Sequence, residues 1–274
     1  MDAVSDYKKV KVISVRGLNT QVRAIRFEFI DPSDKKSFSF YPGSFIMVGI
    51  PGFGESPLTI TTSLAELPQF EVAVRSVGNT TKTLNRLSVG DTAYIRGPLG
   101  KEIDFAEIFG RELVLIAGGI GLAPLRSVIK NIENNPETIS KLAIVYGAKN
   151  PEEMIFKEDL AKWSKVFDLQ LIVDRADADW DGAIGRIPTL VKKLQLPNDA
   201  SAIICGPPVM YDSIVQALLE LKLSKQNIHL MLERKMVCGT GKCQHCTCGG
   251  KYVCTDGPTF TYAELEDNWE ALIK

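Results

Sequence analysis

The sequence predicts a β plus α/β protein: a six-stranded antiparallel barrel, then a five-stranded parallel-sheet domain, then a small cysteine-rich C-terminal segment. Three observations predict this order. Short β-branched or aromatic-rich runs fill residues 7–100, and apolar strand-like runs alternate with helical patterns over 112–232. Five of the six cysteines lie within residues 238–254. The predicted domains are 1–104, 105–232 and 233–274.

Composition narrows the class of protein. The chain has 274 residues, 45% of them hydrophobic, and a formal net charge of −1, so charge gives no reason to expect nucleic acid or an anionic membrane surface as partner. No run of 18 apolar residues is present, and the N-terminus lacks the pattern of a secretory signal. We therefore expect a soluble cytoplasmic protein. Clustered cysteines in a reducing compartment favour metal ligation over disulfides.

Six strand-like runs support the barrel. Turn signals such as "DPSDKKS", "YPG" and "PGFGES" separate them, and no long helical pattern interrupts them. Short strands at this spacing are typical of a small antiparallel barrel. The runs are "VKVISV", "VRAIRFEFI", "SFIMVGI", "PLTITTS", "FEVAVRSV" and "DTAYIRG".

The pattern changes beyond "RGPLGKEIDF". Near-continuous apolar strands that alternate with helices predict a parallel sheet covered on both faces. The predicted strands are "ELVLIAG", "KLAIVYG", "LQLIVD", "SAIICG" and "IHLML", and the predicted helices cover roughly 122–134, 152–166, 187–195 and 208–222.

The first strand of this domain leads into a glycine turn. "LVLIAGGIGLAPLRSVI" has the pattern G-G-x-G-x-A-P, in which glycines permit a tight turn and close approach of a phosphate. The helix that follows offers free N–H groups to a pyrophosphate. Many glycine turns bind nothing. The interpretation of this turn as a phosphate-binding site therefore depends on the strand before it and the helix after it.

Ligands of such sheets lie beyond the carboxyl ends of the strands. Asp174 there could accept a hydrogen bond from a ribose 2′-hydroxyl, which favours NAD, whereas Arg175 could hold a 2′-phosphate, which favours NADP, or form a solvated ion pair. Cys205 is either a small buried residue or part of a nicotinamide pocket. The candidate nucleotide-binding residues are Gly118, Gly119, Gly121, Ala123, Pro124, Gly147, Asp174, Arg175, Cys205, Gly206 and Pro207.

Two stretches of the barrel are candidate binding sites, "ESPLTITTS" and "VRSVGNTTKTLNRLSVGD". In the second, Gly78 lies at a turn before a short helical pattern that begins near Thr80 and Thr81. A glycine turn with hydroxyls at a helix start can bind an anion. Plain N-capping by Thr80 or Thr81 is the alternative.

The cysteines follow the pattern C-x4-C-x2-C-x7-C, with Cys248 as an extra. The C-x4-C-x2-C…C spacing is that of a plant-type [2Fe–2S] cluster. Structural zinc, which prefers C-x2-C pairs, and a disulfide knot are the alternatives. We expect Cys248 to be a non-ligand thiol, because the other four reproduce the pattern. The predicted ligands are Cys238, Cys243, Cys246 and Cys254.

Five motifs occur in an order that resembles the ferredoxin-NADP reductase superfamily: Ser56-Pro57-Leu58-Thr59, then "VRSVGNTTKTLNRLSVGD", "RGPLG", "AGGIGLAPL" and "CGPPVM". The resemblance covers about residues 7–258. It implies a barrel that binds FAD and a second domain that binds NAD(P)H. The family motif has arginine before the proline and tyrosine after it, where this chain has Ser56 and Leu58. The implied FAD-binding residues are Ser56, Pro57, Leu58, Thr59, Val74, Arg75, Ser76, Gly78, Thr80 and Thr81.

The segment "ERKMVCGTGKCQHC…YVCTDGPTF" resembles a narrower subgroup. It comprises the electron-transfer subunits of dihydroorotate dehydrogenase type B and the gamma subunits of NAD(P)-linked hydrogenases and related sulfite or heterodisulfide reductase complexes. In those proteins the four matching cysteines hold [2Fe–2S]. The short loop before Cys254 is more similar to the hydrogenase gamma subunits.

The expected function is electron transfer between NAD(P)H and a catalytic redox subunit of a hetero-oligomeric complex. A nicotinamide exchanges two electrons and an iron–sulfur cluster one, so FAD, which handles both, belongs between them. The alternatives are the dihydroorotate dehydrogenase subunit and a non-catalytic zinc-bound interaction module. We expect partner docking at 238–260, with Met236, Val237, Tyr252 and Phe260 in contact, and Trp269 of the tail as an extension, unless these side chains pack inward.

Overall fold

The computed structural model describes residues 7–103 and 108–273 and divides into two compact units. The first unit contains the described residues up to Ile103 together with 126–134 and 233–258. The second contains the described residues from Ile108 to Leu125 together with 135–232 and 259 onward. The three domain boundaries predicted from the sequence stay predictions.

An antiparallel six-stranded sheet forms the first unit, as the sequence predicts. Its strands run in the order β4-β3-β6-β1-β2-β5. Ile60, just after β4, forms an antiparallel bridge with Val72 of β5, so the two edge strands of the sheet meet there. The elements are β1 (Lys8–Gly17), β2 (Val22–Phe29), α1 (Pro32–Ser37), β3 (Phe45–Ile50), β4 (Gly54–Thr59), β5 (Gln69–Arg75), α2 (Asn79–Leu84) and β6 (Thr92–Leu99).

Alternation of side chains along these strands builds one core. In β2, for example, Ile25, Phe27 and Phe29 alternate along the strand and are buried in this core. Aromatic rings fill much of the interior, with the Phe29 ring 4.7 Å from that of Phe38 and 5.3 Å from that of Phe70. The apolar interior gives the sheet a rigid framework for the loops at its ends.

A buried ion pair crosses this unit. Glu71 of β5 and Arg126 are both buried, and Arg126 Nη1 lies 3.3 Å from Glu71 Oε1 and 2.9 Å from the carbonyl oxygen of Thr61. Arg16 also contacts Glu71 Oε1 at 3.1 Å. Buried charges need such partners, because an unpaired charge in the interior is strongly destabilising.

The second unit holds a seven-stranded sheet in the order β10-β9-β8-β7-β11-β12-β15. All five predicted parallel strands are present and adjacent. The structure adds a short parallel edge strand, β10, and an antiparallel one, β15. The strands are β7 (Glu112–Gly118), β8 (Lys141–Ala148), β9 (Asp168–Val173), β10 (Ala183–Ile184), β11 (Ser201–Cys205), β12 (Ile228–Met231) and β15 (Thr259–Thr261).

Helices follow these strands. The predicted helix over 122–134 is confirmed at the same residues, whereas the predicted helix over 152–166 is shorter. There Met154, Ile155 and Phe156 are buried in extended or left-handed backbone, and the Ile155 amide donates to the hydroxyl of Tyr146. The bounds are α3 (Leu122–Asn134), α4 (Lys157–Trp163), α5 (Ile187–Val191) and α6 (Pro208–Glu220).

The C-terminal residues belong to both units. The hairpin β13 (Thr247–Cys248) and β14 (Lys251–Tyr252) lies in the first unit, while α7 (Tyr262–Leu265) and α8 (Trp269–Ile273) lie in the second. Trp269 donates a hydrogen bond to Asp212 at 3.0 Å and packs edge-on against Tyr262. Within the described ranges, no helix is both long and apolar enough to cross a bilayer.

Candidate functional site

The two predicted FAD-binding stretches lie close together in the first unit. Ser56–Thr59 lie on the edge strand β4, and Thr80 at the start of α2 donates a hydrogen bond to the carbonyl oxygen of Phe53 at 2.7 Å. This contact ties the helix to the turn that precedes β4. The structure therefore brings both stretches to one side of the sheet.

The N-cap of α2 is Gly78 rather than Thr80 or Thr81, and Thr81, the third residue of the helix, contacts the backbone at this cap. Its hydroxyl accepts hydrogen bonds from the amides of Val77 and Gly78, each at 3.0 Å. Val74 is buried, so its backbone rather than its side chain is available for contact with FAD. Arg75 and Ser76 are exposed at the end of β5. Ser56 stands where the family motif has arginine. Of the cations in this chain, Arg75 is the nearest in sequence to the turn at Gly78. The roles of these residues toward FAD stay predictions.

The nucleotide candidates gather at one edge of the second unit. β9, β8, β7 and β11 are neighbours in the sheet, and Gly118 pairs with Gly147 at their carboxyl ends. The glycine turn, Asp174-Arg175 and Cys205-Gly206-Pro207 therefore line the same edge. Asp174 and Arg175 are exposed, and their amides donate to the carbonyl oxygens of Ala148 and Lys149 at 3.1 and 2.9 Å.

Most of the glycines here serve close packing. A side chain at Gly121 would overlap the carbonyl oxygen of Cys205, and one at Gly147 would meet Ile187 Cγ1. Gly118 and Gly206 leave room for the sulfur of Met210. Gly119 differs: its φ is +55° and the space beside it is open, so it shapes the turn itself. Cys205 is buried, and the choice between a small packed residue and part of a nicotinamide pocket stays open.

The cysteine loop, residues 238–254, wraps inward on itself. Gly239, Gly241 and Gln244 all have positive φ, which turns backbone amides toward the sulfur atoms. The amides of Thr240 and Cys243 donate to Cys238 Sγ at 3.3 and 3.4 Å, and the amide of Gly241 donates to Cys254 Sγ at 3.1 Å. Such N–H···S contacts are the outer interactions that tune iron–sulfur clusters.

These amides also act on the thiols themselves. Burial raises the pKa of Cys238, but the hydrogen bonds from Thr240 and Cys243 outweigh it and lower the pKa to about 6. Burial and a hydrogen bond with Cys246 raise the pKa of Cys254 to about 11. The lowered pKa of Cys238 favours the thiolate, whereas the raised pKa of Cys254 favours the neutral thiol when no metal is bound. The four sulfur donors and the amide contacts suit a cluster. In the described part of the chain, no three His, Cys, Asp or Glu side chains converge closely enough to hold a single metal ion.

Cys248 has different surroundings. It is buried on β13, where burial raises the pKa of its thiol, and it pairs with Lys251 across the hairpin. The amide-to-sulfur hydrogen bonds described for Cys238 and Cys254 go to two of the four predicted ligands. The role of Cys248 as a non-ligand thiol stays a prediction.

The sequence analysis missed a set of residues that fastens the cysteine loop to the sheet. Arg96 of β6 donates to the carbonyl oxygen of Cys238 at 3.0 Å and pairs with Glu55 of β4. At the other end of the loop, the Lys101 amide donates to the carbonyl oxygen of Gly257. Glu55 directly precedes the predicted flavin motif, and Arg96 opens "RGPLG", but neither motif predicts that their side chains would meet.

The fold and the three candidate regions together define a flavin- and nucleotide-dependent electron-transfer protein. The chain matches three families: the oxidoreductase FAD-binding domain over residues 9–103, the oxidoreductase NAD-binding domain over 115–216, and the iron–sulfur cluster binding domain of dihydroorotate dehydrogenase B over 233–266. It binds FAD, NAD(P)H and an iron–sulfur cluster.

Proteins similar in sequence match this chain over most of its length. Sulfhydrogenase 1 subunit gamma of Pyrococcus furiosus is 36% identical over 94% of this chain and 91% of its own. A probable dihydroorotate dehydrogenase B (NAD(+)) electron transfer subunit of Thermoplasma volcanium is 32% identical over 84% of this chain and 82% of its own.

A solved structure of an NADH-dependent reduced ferredoxin-NADP oxidoreductase, described in terms of flavin-based electron bifurcation, superposes with a TM-score of 0.79. It is 25% identical, over 96% of this chain and 91% of that one. The chain belongs to the ferredoxin-NADP reductase-like family of flavin/iron–sulfur proteins that includes the sulfhydrogenase gamma and dihydroorotate dehydrogenase B electron-transfer subunits. It is an NAD(P)H-dependent flavin/iron–sulfur oxidoreductase.

Proposed function

We propose that this chain is the electron-transfer subunit of a hydrogenase-type complex and links NAD(P)H to a catalytic partner subunit through FAD and one [2Fe–2S] cluster. The structural observation that carries the proposal is that the cysteine loop and the flavin-binding sheet share one compact unit. The similarity to the sulfhydrogenase gamma subunits supports a hydrogenase partner.

In this proposal each region has one task. Ser56–Thr59, the end of β5 and the start of α2 hold FAD, with Arg75 and exposed backbone amides facing its phosphates in place of the missing arginine. The glycine turn and the N-terminus of α3 hold the pyrophosphate of NAD(P)H. Cys238, Cys243, Cys246 and Cys254 hold the cluster. FAD supplies the exchange of electrons in ones or twos.

The test is anaerobic reduction of the purified holoprotein by NADH or NADPH. We expect flavin absorbance to bleach and the signal of a reduced [2Fe–2S] cluster to appear in electron paramagnetic resonance spectra. Metal analysis should give two irons per chain, as the cluster formula requires. One zinc and no iron would contradict the proposal and revive the interaction-module alternative.

A second candidate is the electron-transfer subunit of dihydroorotate dehydrogenase. The match of residues 233–266 to the iron–sulfur domain of that enzyme favours it. The two candidates differ in partner, so isolation of the native complex separates them. Hydrogen-dependent reduction of NAD(P)⁺ by the complex supports the hydrogenase role, whereas dihydroorotate-dependent reduction with no hydrogen activity would replace it.

Nucleotide preference is part of the proposal. Exposed Asp174 at the end of β9 favours NAD(H), because it accepts a hydrogen bond from the ribose 2′-hydroxyl. Arg175 could hold a 2′-phosphate, so binding of NADP(H) is also compatible with this site. Steady-state kinetics with both nucleotides should show at least comparable use of NADH. A strong NADPH preference that disappears in Arg175→Ala would reverse this assignment.

We place the protein in the cytoplasm. Within the described residues, the cysteines form no disulfide, which suits a reducing compartment and cluster ligation. Localisation of a tagged chain in fractionated cells checks this.

A further inference from the structure

A buried arginine lies between the flavin motif and the cysteine loop. Arg96 on β6 is only 6% exposed. Its Nε and Nη2 atoms donate to Glu55 Oε2 at 3.0 and 2.7 Å, and its Nη1 donates to the carbonyl oxygen of Cys238 at 3.0 Å. One guanidinium therefore binds both the strand that carries Ser56–Thr59 and the first predicted cluster ligand.

The surroundings of Arg96 hold it in this position. Tyr7 donates its hydroxyl hydrogen to the other oxygen of Glu55, and the Arg96 guanidinium lies 5.5 Å from the centroid of the Tyr7 ring. The pKa of Arg96 is raised, because the hydrogen bonds and charge of Glu55 outweigh the burial that would lower it. A planar guanidinium with several donors in fixed directions suits this double contact better than a lysine ammonium.

The backbone makes room for the contact. Strand β3 runs between β4 and β6, and Gly49 of β3 pairs with Glu55. A side chain at Gly49 would lie 2.8 Å from Glu55 Cγ, so the absence of one lets the glutamate side chain pass over β3 toward Arg96. Gly239, next to Cys238, similarly lies against Leu99 and Met47, where a Cβ would be 2.9 Å from Leu99 Cδ1.

We propose that Arg96 is a positioning residue for the cluster: it holds the Cys238 backbone against the flavin-binding sheet and places a positive charge beside the cluster, partly offset by Glu55. This inference rests on the proposed function in assuming that the cysteine loop binds [2Fe–2S]. Reduction adds one negative charge to the cluster, so a nearby cation stabilises the reduced form and raises the reduction potential. The negative charge of Glu55 has the opposite effect, because it destabilises the reduced form and lowers the reduction potential.

Two substitutions in one ion pair should therefore move the potential in opposite directions. Arg96→Met removes the cation and leaves Glu55, which lowers the potential. Glu55→Gln keeps a hydrogen-bond acceptor for Arg96 and removes the anion, which raises the potential. A role in folding alone would not give opposite signs, because both changes weaken the same pair.

The experiment is a dithionite titration of the full-length holoprotein with redox dyes, followed by electron paramagnetic resonance of the reduced cluster. At the wild-type midpoint, the Arg96→Met cluster should be less than half reduced and the Glu55→Gln cluster more than half reduced. Arg96→Lys, which keeps the charge, should stay near the wild type. The matched control is Arg26→Met, which breaks the Arg26–Glu66 pair of the same unit and should leave the midpoint unchanged.

A second measurement keeps the inference testable if Arg96→Met loses its cluster. Hydrogen exchange of the amides of Thr240, Gly241 and Cys243 should be about tenfold to hundredfold faster in Arg96→Lys than in wild type, since a charge-assisted contact is weakened. Unchanged potential in Glu55→Gln, shifts of equal sign in both variants, or unchanged exchange in Arg96→Lys would each overturn it. In this titration dithionite, not NAD(P)H, reduces the cluster. A cluster that dithionite reduces and NAD(P)H does not would therefore contradict the proposed function and leave the inference about Arg96 standing.

Discussion

At the scale of single residues, backbone amides point to two of the four predicted ligands. Cys238 and Cys254 receive hydrogen bonds from backbone amides, whereas Cys248 is buried in a short hairpin. Hydrogen bonds from amides favour the thiolate, which is the form of cysteine that binds a metal.

We predict that alanine at Cys238, Cys243, Cys246 or Cys254 abolishes the cluster, while the flavin band remains. Each ligand supplies one of the four bonds between iron and cysteine sulfur, and we expect no other side chain to replace it. Visible spectra and iron content of each variant measure this, with Cys248→Ala as the matched control. Loss of the cluster in Cys248→Ala together with its retention in Cys254→Ala would show that the assignment of the four ligands is wrong.

His229 gives a second prediction at this scale. It is buried on β12, and burial lowers its pKa although Glu264 acts to raise it. Below its ordinary pKa of about 6.5, the unfolded chain binds a proton that the folded chain does not, so stability falls as the pH decreases through this range. We expect His229→Gln to flatten that part of the pH profile in denaturant unfolding. Equal slopes in wild type and His229→Gln would contradict the assignment of the slope to His229.

At the scale of elements, the glycine turn between β7 and α3 depends on a close approach of two backbones. Gly121 lies against the Cys205 carbonyl at the end of β11, so the turn and the neighbouring strand end are packed without a side chain between them. That contact fixes where the N-terminus of α3 points.

We predict that Gly121→Ala lowers the free energy of unfolding by about 1–3 kcal/mol, because the new methyl group forces the backbones apart. The dissociation constant for NADH should also rise, since the N–H groups of the turn move. Chemical unfolding and fluorescence titration measure the two effects. Gly17→Ala is the control: the space beside Gly17 is open, and we expect little change in either quantity.

At the scale of the whole molecule, chain order and compact units do not coincide. Helix α3 begins in the second unit and its residues from Arg126 onward belong to the first, and the C-terminal residues are divided in the same way. The cysteine loop belongs with the flavin-binding sheet, whereas Phe260 and the tail belong with the nucleotide-binding sheet.

The burial of two of the predicted contact residues changes the predicted docking face. Phe260 is 1% exposed and Trp269 is 7% exposed, so the inward-packing alternative holds for both. Val237 is 51% exposed, and Met236 and Tyr252 are half-buried, so these three remain available. The corrected face consists of Met236, Val237 and Tyr252 with the exposed part of 238–254.

We predict that the catalytic partner protects this face. Electrons leave from the cluster, so the partner must approach the cysteine loop. Hydrogen exchange of this chain, alone and in its native complex, should show slower exchange over 236–254. Protection confined to other parts of the chain, with 236–254 unchanged, would place the electron exit elsewhere.

The sequence by itself determined the order of structures, the glycine turn and the cysteine cluster, and its resemblance to a known family implied FAD. Apolar periodicity is local, so it predicted the antiparallel strands, the five parallel strands and helix α3 with their positions along the chain. Glycine and cysteine spacings are also local, because a turn or a cluster loop needs certain residues within a few positions.

Only the tertiary structure decided which distant residues meet. The contact of Glu55 with Arg96, and of Arg96 with Cys238, joins residues 41 and 142 positions apart. It depends on strand order, on a glycine that leaves room over β3, and on the burial of Arg96, which makes an unpaired guanidinium costly. The antiparallel addition of β15 and the inward packing of Phe260 and Trp269 have the same cause: burial depends on neighbours that the local pattern does not specify.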